Sequence, residues 1–408
     1  MRPYRIAFFT DSFREDLGGL TRAVIGLHDV LVARGHQVFV FTLPQREGRI
    51  HQGNVFKVPA LPLPPVGFVP PDSHLAVGPG WVEARLRELQ PEIVHLHTPY
   101  SVGWLGLRAA RRLGLPVAAS YHANPAAAGA FLLRVGFRAA PQLPQEAGRS
   151  LAARALATFY NRCDVVIAPS RYAAALARES GVRRAVTVLP TGIDAALFRG
   201  VLPGAGESPF PADSRRGAER REGPRRVTAL YAGRLSAEKD LGTLERAARA
   251  CLAADPSLCL RIAGDGPLRR RMEARLSSLV RAGRVEFAGP VPWAEMPGEY
   301  RRADLFLFPS PVETQGLAVL EAMASGLPVV ACAAGGVAEL VEHGQTGFLA
   351  PPRAHRELSA WVLELARKPG LRRALGRKAS QAAGRYDWGE VVLAFEGLYG
   401  QLRRGVLK

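Results

Sequence analysis

The chain of 408 residues predicts an α/β protein with two doubly wound parallel sheets, and three observations carry that expectation. Short apolar runs such as Arg5–Phe9, Ile93–His97, Val165–Ala168 and Leu305–Pro309 show no polar alternation, which is the pattern of strands covered on both faces. A segment of helical character follows most of these runs, so successive strands pair in parallel across a helix rather than as hairpins. The pattern breaks at Val201–Arg226, where glycine, proline and charge replace periodicity, and then restarts.

Taken in order, the first half places a strand at Arg5–Phe9, a loop at Thr10–Leu20 and a helix at Thr21–Arg34 stopped by Gly35. The next strands are His36–Thr42, Ile93–His97, Val117–Tyr121, Val165–Ala168 and Val186–Leu189. Beyond the break come Val227–Gly233, Leu258–Gly264, Val285–Gly289, Leu305–Pro309 and Val329–Ala333, with a helix at Leu317–Ser325 leaving through Gly326 and Pro328. The expected domains are 1–200, a linker or mobile loop at 201–226, a second domain at 227–387, and an amphipathic helix in 388–408 that crosses back to the first domain. Ligands of such sheets bind beyond the carboxyl ends of the strands. That directs attention to the loops at Asp11–Leu20, at Thr98–Val102 and after Tyr121.

Composition narrows the classes. Hydrophobic residues make up 48%, ample for packed cores, and no apolar run is long enough to cross a bilayer. Nothing at the amino terminus reads as a signal peptide, and Cys163, Cys251, Cys259 and Cys332 have no paired spacing, so neither a disulfide framework nor a zinc site is indicated. A cytoplasmic location follows as the expectation. Formal net charge is +18, almost all of it arginine. Between Leu105 and Arg162 stand eight arginines against the single acid Glu146. Such a surface fits anionic lipid or nucleic acid, or is simply solvated. No nucleic-acid-binding module is recognisable, and no G-x-G-x-x-G follows the first strand, which argues against a dinucleotide cofactor.

The chemistry concentrates in Asp304–Pro351. A helix starting near Gly316 points free amides and a positive dipole end at the loop before it, which suits a phosphate. Glu313 stands before those amides and Glu321 beyond them, two acceptors able to hold hydroxyls on either side of a diphosphate. That describes a nucleotide-sugar. The phrase PSPVETQGLAVLEAMASGLPVVACAAGG resembles the E-x7-E signature of the retaining glycosyltransferases of family four, which have the GT-B fold of two domains facing across a cleft. The resemblance spans nearly the whole chain and is strongest over Val227–Leu349. FTDSF (9–13), HLHTP (95–99), SYH (120–122), YNRCDVVIAPS (160–170), LPTGID (189–194) and ETQG (313–316) look most like the bacterial synthases that glycosylate diacylglycerol.

The resemblance implies roles for residues at matching positions. Arg234 and Lys239, in YAGRLSAEKD, match the diphosphate-binding pair; with Glu313 and His122 they are the catalytic candidates. His122 matches a histidine facing the donor sugar, but Ala123 and Asn124 follow where Thr and Asp are usual. Thr314, Gln315, Gly316, Leu317 and Glu321 fall to donor binding, as do Gly264 and Val291 in turns that relatives lay against the base. Gly18-Gly19 precedes a helix, where it either approaches a phosphate or is a plain tight turn. A nucleoside diphosphate leaves as a stable anion, so charge stabilisation replaces a carboxylic acid, and neither metal nor resident cofactor is called for. The implied reaction moves a hexose from a nucleotide-sugar, a UDP-sugar being expected, to give an α-linked product. An epimerase of the same fold would act on a UDP-sugar without an acceptor, and the E-x7-E phrase argues against it.

The segment after His122 mixes Phe131, Leu132 and Phe137 with Arg134 and Arg138. Apolar and basic residues together suit the headgroup boundary of an anionic membrane, with Leu61–Val69 as a second apolar wall. The other reading is a core helix with solvated arginines. A membrane-bound, lipid acceptor is the expectation that follows.

Overall fold

The computed structural model describes residues 2–14, 18–44, 53–63, 74–122, 145–199 and 226–407, the side chains of 145–152 apart. The predicted membrane residues Phe131, Leu132, Arg134, Phe137 and Arg138, most of the linker, and the larger part of Leu61–Val69 lie outside the described residues. Two compact units emerge, one of Met1–Gly192 with Trp388–Lys408, the other of Ile193–Asp387.

The strands of the first unit are β1 (Arg5–Phe9), β2 (Gln37–Thr42), β3 (Asn54–Lys57), β4 (Ala60–Pro62), β5 (His74–Ala76), β6 (Ile93–Leu96), β7 (Val117–Ser120), β8 (Val165–Ala168) and β9 (Val186–Val188). Seven of them form a parallel sheet in the order β3-β2-β1-β6-β7-β8-β9, while β4 and β5 pair antiparallel apart from it. The central strands β6, β7 and β8 are buried at every residue, as their continuous apolar runs demand. Sequence reading did not find β3, β4 and β5, which are short and, like β3, partly exposed, so they lack the buried run that marks the others.

Helix Gly19–Ala33 buries Thr21, Ala23, Val24, Leu27, His28 and Leu31, one face at helical spacing. It begins two residues ahead of the sequence-based start, with Gly18 as its cap. Gly35 ends it in the left-handed region (φ 89°), its amide donating to Val32 O at 2.9 Å. Strand β2 starts after His36, whose backbone amide still donates to Leu31 O of the helix at 3.0 Å. The His36 Nδ1 accepts from the Tyr4 amide at 2.9 Å.

The second unit has β10 (Val227–Ala232), β11 (Leu258–Ala263), β12 (Val285–Gly289), β13 (Leu305–Phe308), β14 (Val329–Cys332) and β15 (Gly347–Ala350), all parallel in the order β12-β11-β10-β13-β14-β15. Adjacency of β10 and β13 sets the loop after Ala232 beside the loop after Phe308. Ala195–Arg199, a short helix within the sequence-based first domain, belongs to this unit. The Ala195 amide donates to Asp387 Oδ2 at 3.1 Å, and Ile193 bridges Asp387.

Helix Trp388–Arg403 returns the chain to the first unit. Val391, Val392, Phe395, Leu398, Tyr399 and Leu402 pack against Tyr4, Phe8, Leu27, Leu31 and Ile93. Trp388 lies in a slot that only glycines leave open: a Cβ at Gly26 would fall 2.3 Å, and one at Gly192 2.4 Å, from its ring. Glu396, 2% exposed, accepts from Arg34 Nε at 2.6 Å and contacts His36 Nε2 at 3.0 Å. The Arg34 hydrogen bond, and then His36, hold its carboxyl below the usual 4.5. A depressed carboxylate stabilises the fold above its unfolded value, and that contribution is lost as pH falls through the folded one. Glu396→Gln is therefore expected to cost about 1–2 kcal/mol at neutral pH, the half-open Arg34 limiting the figure. In urea titrations the cost should shrink as pH drops below 4.5. A penalty independent of pH would contradict the ionic reading.

Candidate active site

In the second unit the loops beyond the strands are held by backbone contact. Gly264 (φ 140°) leaves room for the Gly233 carbonyl, which a Cβ would meet at 2.0 Å. The Gly233 amide donates to Ala263 O at 3.0 Å and that of Gly264 to Gly289 O at 2.7 Å, so the ends of β10, β11 and β12 are laced together. Leu235 N donates to Asp265 O at 2.8 Å and Leu268 N to Leu235 O at 2.9 Å, fixing the turn that carries Arg234. Arg234 is exposed, with no carboxylate at ion-pair distance among the described residues. Tyr231 Oη donates to its carbonyl at 3.1 Å, and burial, reinforced by the negative charge of Glu313, raises that phenol well above its ordinary value.

Lys239 closes a turn of 3-10 helix, Ala237–Lys239, and its ammonium passes over the Phe308 ring, 6.0 Å from the centroid. It ends 2.5 Å from Glu313 Oε1, which also accepts from Ser310 Oγ at 2.8 Å. The resemblance gave the lysine to a diphosphate and the glutamate to a sugar, and in the folded chain the two are ion-paired. Both are partly buried, at 19% and 15% side-chain exposure.

The Glu313 loop is seated by a second glycine pair. The Gly336 amide donates to Glu313 O at 2.7 Å, and a Cβ there would lie 2.5 Å from Thr314 O. Gly316, at φ 103°, caps helix Leu317–Ala324, whose first amides include that of Leu317. Thr314 and Leu317 are half-buried, and Gln315 is buried. Glu321 is 4% exposed, and its Oε2 accepts from Tyr300 Oη at 2.8 Å. Val291, just after β12, packs half-buried on the core.

In the first unit the carboxyl ends of β1, β6 and β7 gather polar groups that sequence reading quoted within motifs but did not assign. His95 donates or accepts at both nitrogens, to Tyr399 Oη at 2.8 Å and Ser120 Oγ at 2.9 Å. His97 lies tilted beside it, ring centroids 4.1 Å apart at an interplanar angle of 35°, and its buried Nε2 has no partner among the described residues. Asp11 accepts from Thr98 Oγ1 and lies 3.5 Å from Ser101 Oγ. Burial raises its pKa against those hydrogen bonds. His122 is half-buried at the end of β7, where burial pushes its imidazole down to about 4. Burial, then the neighbouring His122, takes His95 to about 3. The signal that would have found His97 is the spacing of HLHTP, since two histidines two apart at a strand end share a face. Gly18 has nothing within 4 Å of a Cβ, so the start of helix Gly19–Ala33 is open.

These features meet the comparisons with known proteins. Residues 17–197 match the family described as Glycosyltransferase Family 4, and residues 216–382 match Glycosyl transferases group 1. A GDP-mannose-dependent alpha-mannosyltransferase of Mycolicibacterium smegmatis is 31% identical over 85% of this chain and 84% of its own. The chain is a glycosyltransferase of family 4. An alpha-monoglucosyldiacylglycerol synthase of Streptococcus pneumoniae is 29% identical over 80% of this chain and 70% of its own. The crystal structure of Anabaena HepE in complex with UDP and glucose covers 97% of this chain and 99% of its own at a TM-score of 0.74 and 20% identity, which establishes the shared GT-B fold.

One expected outcome concerns the histidines. An unfolded imidazole takes a proton near 6.5, whereas folded His95 and His122 wait until about 3 and 4. Lowered folded values mean that stability falls as pH drops below about 6.5 and goes on falling toward the folded ones. In NMR spectra of His-labelled protein, the His95 ring signal is expected to stay flat from pH 8 to 5. A midpoint near 6.5 at that ring would overturn its neutral assignment.

Proposed function

We propose that this glycosyltransferase moves a hexose from a UDP-sugar to a diacylglycerol-type acceptor, with retention at the anomeric carbon and an α-linked glycolipid as product. The observation that carries the transfer chemistry is the pairing of Lys239 with Glu313 beside the amino end of helix Leu317–Ala324. Cation, carboxylate and helix amides stand together as a sugar diphosphate requires. The anomeric bond to the diphosphate oxygen breaks with its electron pair going to the leaving group. Lys239, Arg234 and the amides of Gly316 and Leu317 offset that growing charge, so neither metal nor resident cofactor is needed. The acceptor hydroxyl joins the anomeric carbon on the same face, and its proton passes to the departing diphosphate. Glu313 orients Lys239 before the donor arrives and then receives sugar hydroxyls, while Glu321, held by Tyr300, takes those of the ribose. His122, neutral through burial, is assigned a sugar hydroxyl.

The lipid acceptor is supported by relatives named alpha-monoglucosyldiacylglycerol synthase from Streptococcus pneumoniae and Acholeplasma laidlawii, the second 24% identical over 97% of this chain. Among the described residues no helix is long and apolar enough to cross a membrane, and the proposed location is peripheral, at the cytoplasmic face of an anionic membrane. A second reading has a specific observation behind it. The Mycolicibacterium relative is named for GDP-mannose, which makes a mannosyl donor the alternative.

A thermal-shift screen of UDP-, GDP- and ADP-sugars separates these donors, since a ligand at 100 times its Kd stabilises by about 2.7 kcal/mol. A UDP-sugar is expected to shift Tm most, and radiolabel from it to enter diacylglycerol in mixed micelles. A shift with GDP-mannose alone would select the second reading. Full activity on a water-soluble sugar acceptor, with none on diacylglycerol, would remove the lipid.

Loss of either cation addresses the clamp. Arg234→Ala and Lys239→Ala are each expected to cost about 2–4 kcal/mol of transition-state stabilisation, roughly 30- to 1000-fold in kcat/KM, with folding retained. Turnover near that of the parent in both variants would dismiss the assignment.

A further inference from the structure

The first unit carries a cavity that plays no part in the chemistry above. A groove of about 750 Å³ opens on the side of the β9 edge, lined by Arg154, Thr158, Asn161, Ser180, Arg183 and Arg184 among others, with no acidic side chain in its lining. Asn161 builds its floor. The side-chain amide donates to Gly181 O at 2.9 Å, its oxygen accepts from the Arg183 amide at 2.7 Å, and its carbonyl accepts from Arg184 Nε at 3.0 Å. The side chain and carbonyl of that asparagine thus hold one loop, Gly181–Arg184, which brings two consecutive arginines to the groove. Arg154 completes the set from helix Gln145–Tyr160.

Some arginines elsewhere among the described residues are neutralised. Arg111 meets Asp164, Arg261 meets Glu286 and Glu299, and Arg275 meets Glu245. Neither Arg154, Arg183 nor Arg184 has a carboxylate at ion-pair distance among the described residues. Three guanidiniums around one hollow repel each other, and an anion placed among them removes the repulsion and is bound by several charge-assisted hydrogen bonds. Guanidinium forks match the tetrahedral oxygens of phosphate in particular. Ser180 Oγ also lies 3.3 Å from Oη of Tyr121, the residue before His122.

We propose that this groove is a phosphate-binding site, separate from the donor site in the second unit, which takes either the phosphate of a lipid headgroup or a free phosphate. It goes beyond the proposed transfer reaction and does not depend on the identity of donor or acceptor. The Thr158 and Ser180 hydroxyls already donate to Arg154 O at 2.8 Å and to Leu176 O at 2.7 Å, so the three guanidiniums are the donors the groove offers.

The experiment uses the full chain and two probes. Isothermal titration with inorganic phosphate and with glycerol 3-phosphate reads the free form. Cosedimentation with phosphatidylcholine vesicles, with and without 30% phosphatidylglycerol (a chosen composition), reads the lipid form. The triple variant Arg154→Gln/Arg183→Gln/Arg184→Gln is compared with a charge-matched control on the other unit, Arg281→Gln/Arg301→Gln/Arg356→Gln. The triple variant is expected to lose at least about tenfold affinity for one of the two forms, equivalent to about 1.4 kcal/mol, while the control keeps it. Loss confined to vesicles assigns a headgroup, and loss confined to soluble phosphates assigns a free ligand. Equal loss in both variants would mean general charge attraction and overturn the site, as would no binding of either form by the parent chain. Should the triple variant fail to fold, the single exposed change Arg183→Gln carries the same comparison. Donor-induced Tm shifts, measured in parallel, should match the parent, so that failure here and failure of the transferase reading are told apart.

Discussion

At the carboxyl end of the second sheet, two stretches of main chain come closer than any side chain permits. The Gly233 carbonyl occupies the place where a Cβ of residue 264 would stand, 2.0 Å away, and both glycines have left-handed φ values. That approach presses the loop after β10 against the turn after β11, and from there Lys239 reaches across Phe308 to Glu313. A matching constraint works from the other side, where Gly335 and Gly336 admit the backbone of Glu313 and Thr314. Pinched between two glycine pairs, the ionic groups are set by rigid main chain rather than by long side chains finding one another.

The first unit obeys a different constraint, the burial of polar rings. His95 is fully enclosed, so both of its nitrogens must be satisfied from within. Ser120 from the next strand supplies one partner and Tyr399, near the carboxyl end of the chain, the other. Glu396, one turn earlier on the same helix, is matched with Arg34 and His36. The last helix is therefore bound to the first unit by polar groups that would each be costly to leave unpaired, in addition to its apolar face. Because burial holds the His95 imidazole neutral, it serves as a hydrogen-bonding group rather than as an acid at neutral pH.

Arginine plays two parts. In the second unit some of it is neutralised in short pairs along helices and strands, of modest worth each. Around Asn161 it is not, and there the charge is held by fixed backbone in a hollow. Of the arginines between Leu105 and Arg162 only Arg154 lines that hollow, and Arg183 and Arg184 join it from the loop before β9.

What the sequence determined by itself was the class of fold, the buried strands and the nature of the chemistry. Continuous apolar runs such as VVIA and LFLF have no stable home except inside a parallel sheet, and glycine-rich turns with Glu313, Gly316 and Glu321 have their meaning within a single stretch of chain. Edge strands such as β3 escaped because partial exposure removes the signal. Tertiary structure alone decided the partnerships. Lys239 and Glu313 are 74 residues apart and meet because β10 lies beside β13. His95 and Tyr399 are 304 apart and meet because the final helix returns to the first sheet. Strand order and helix docking are set by the packing of the whole chain, and no local pattern of residues records which distant side chain will satisfy a buried charge.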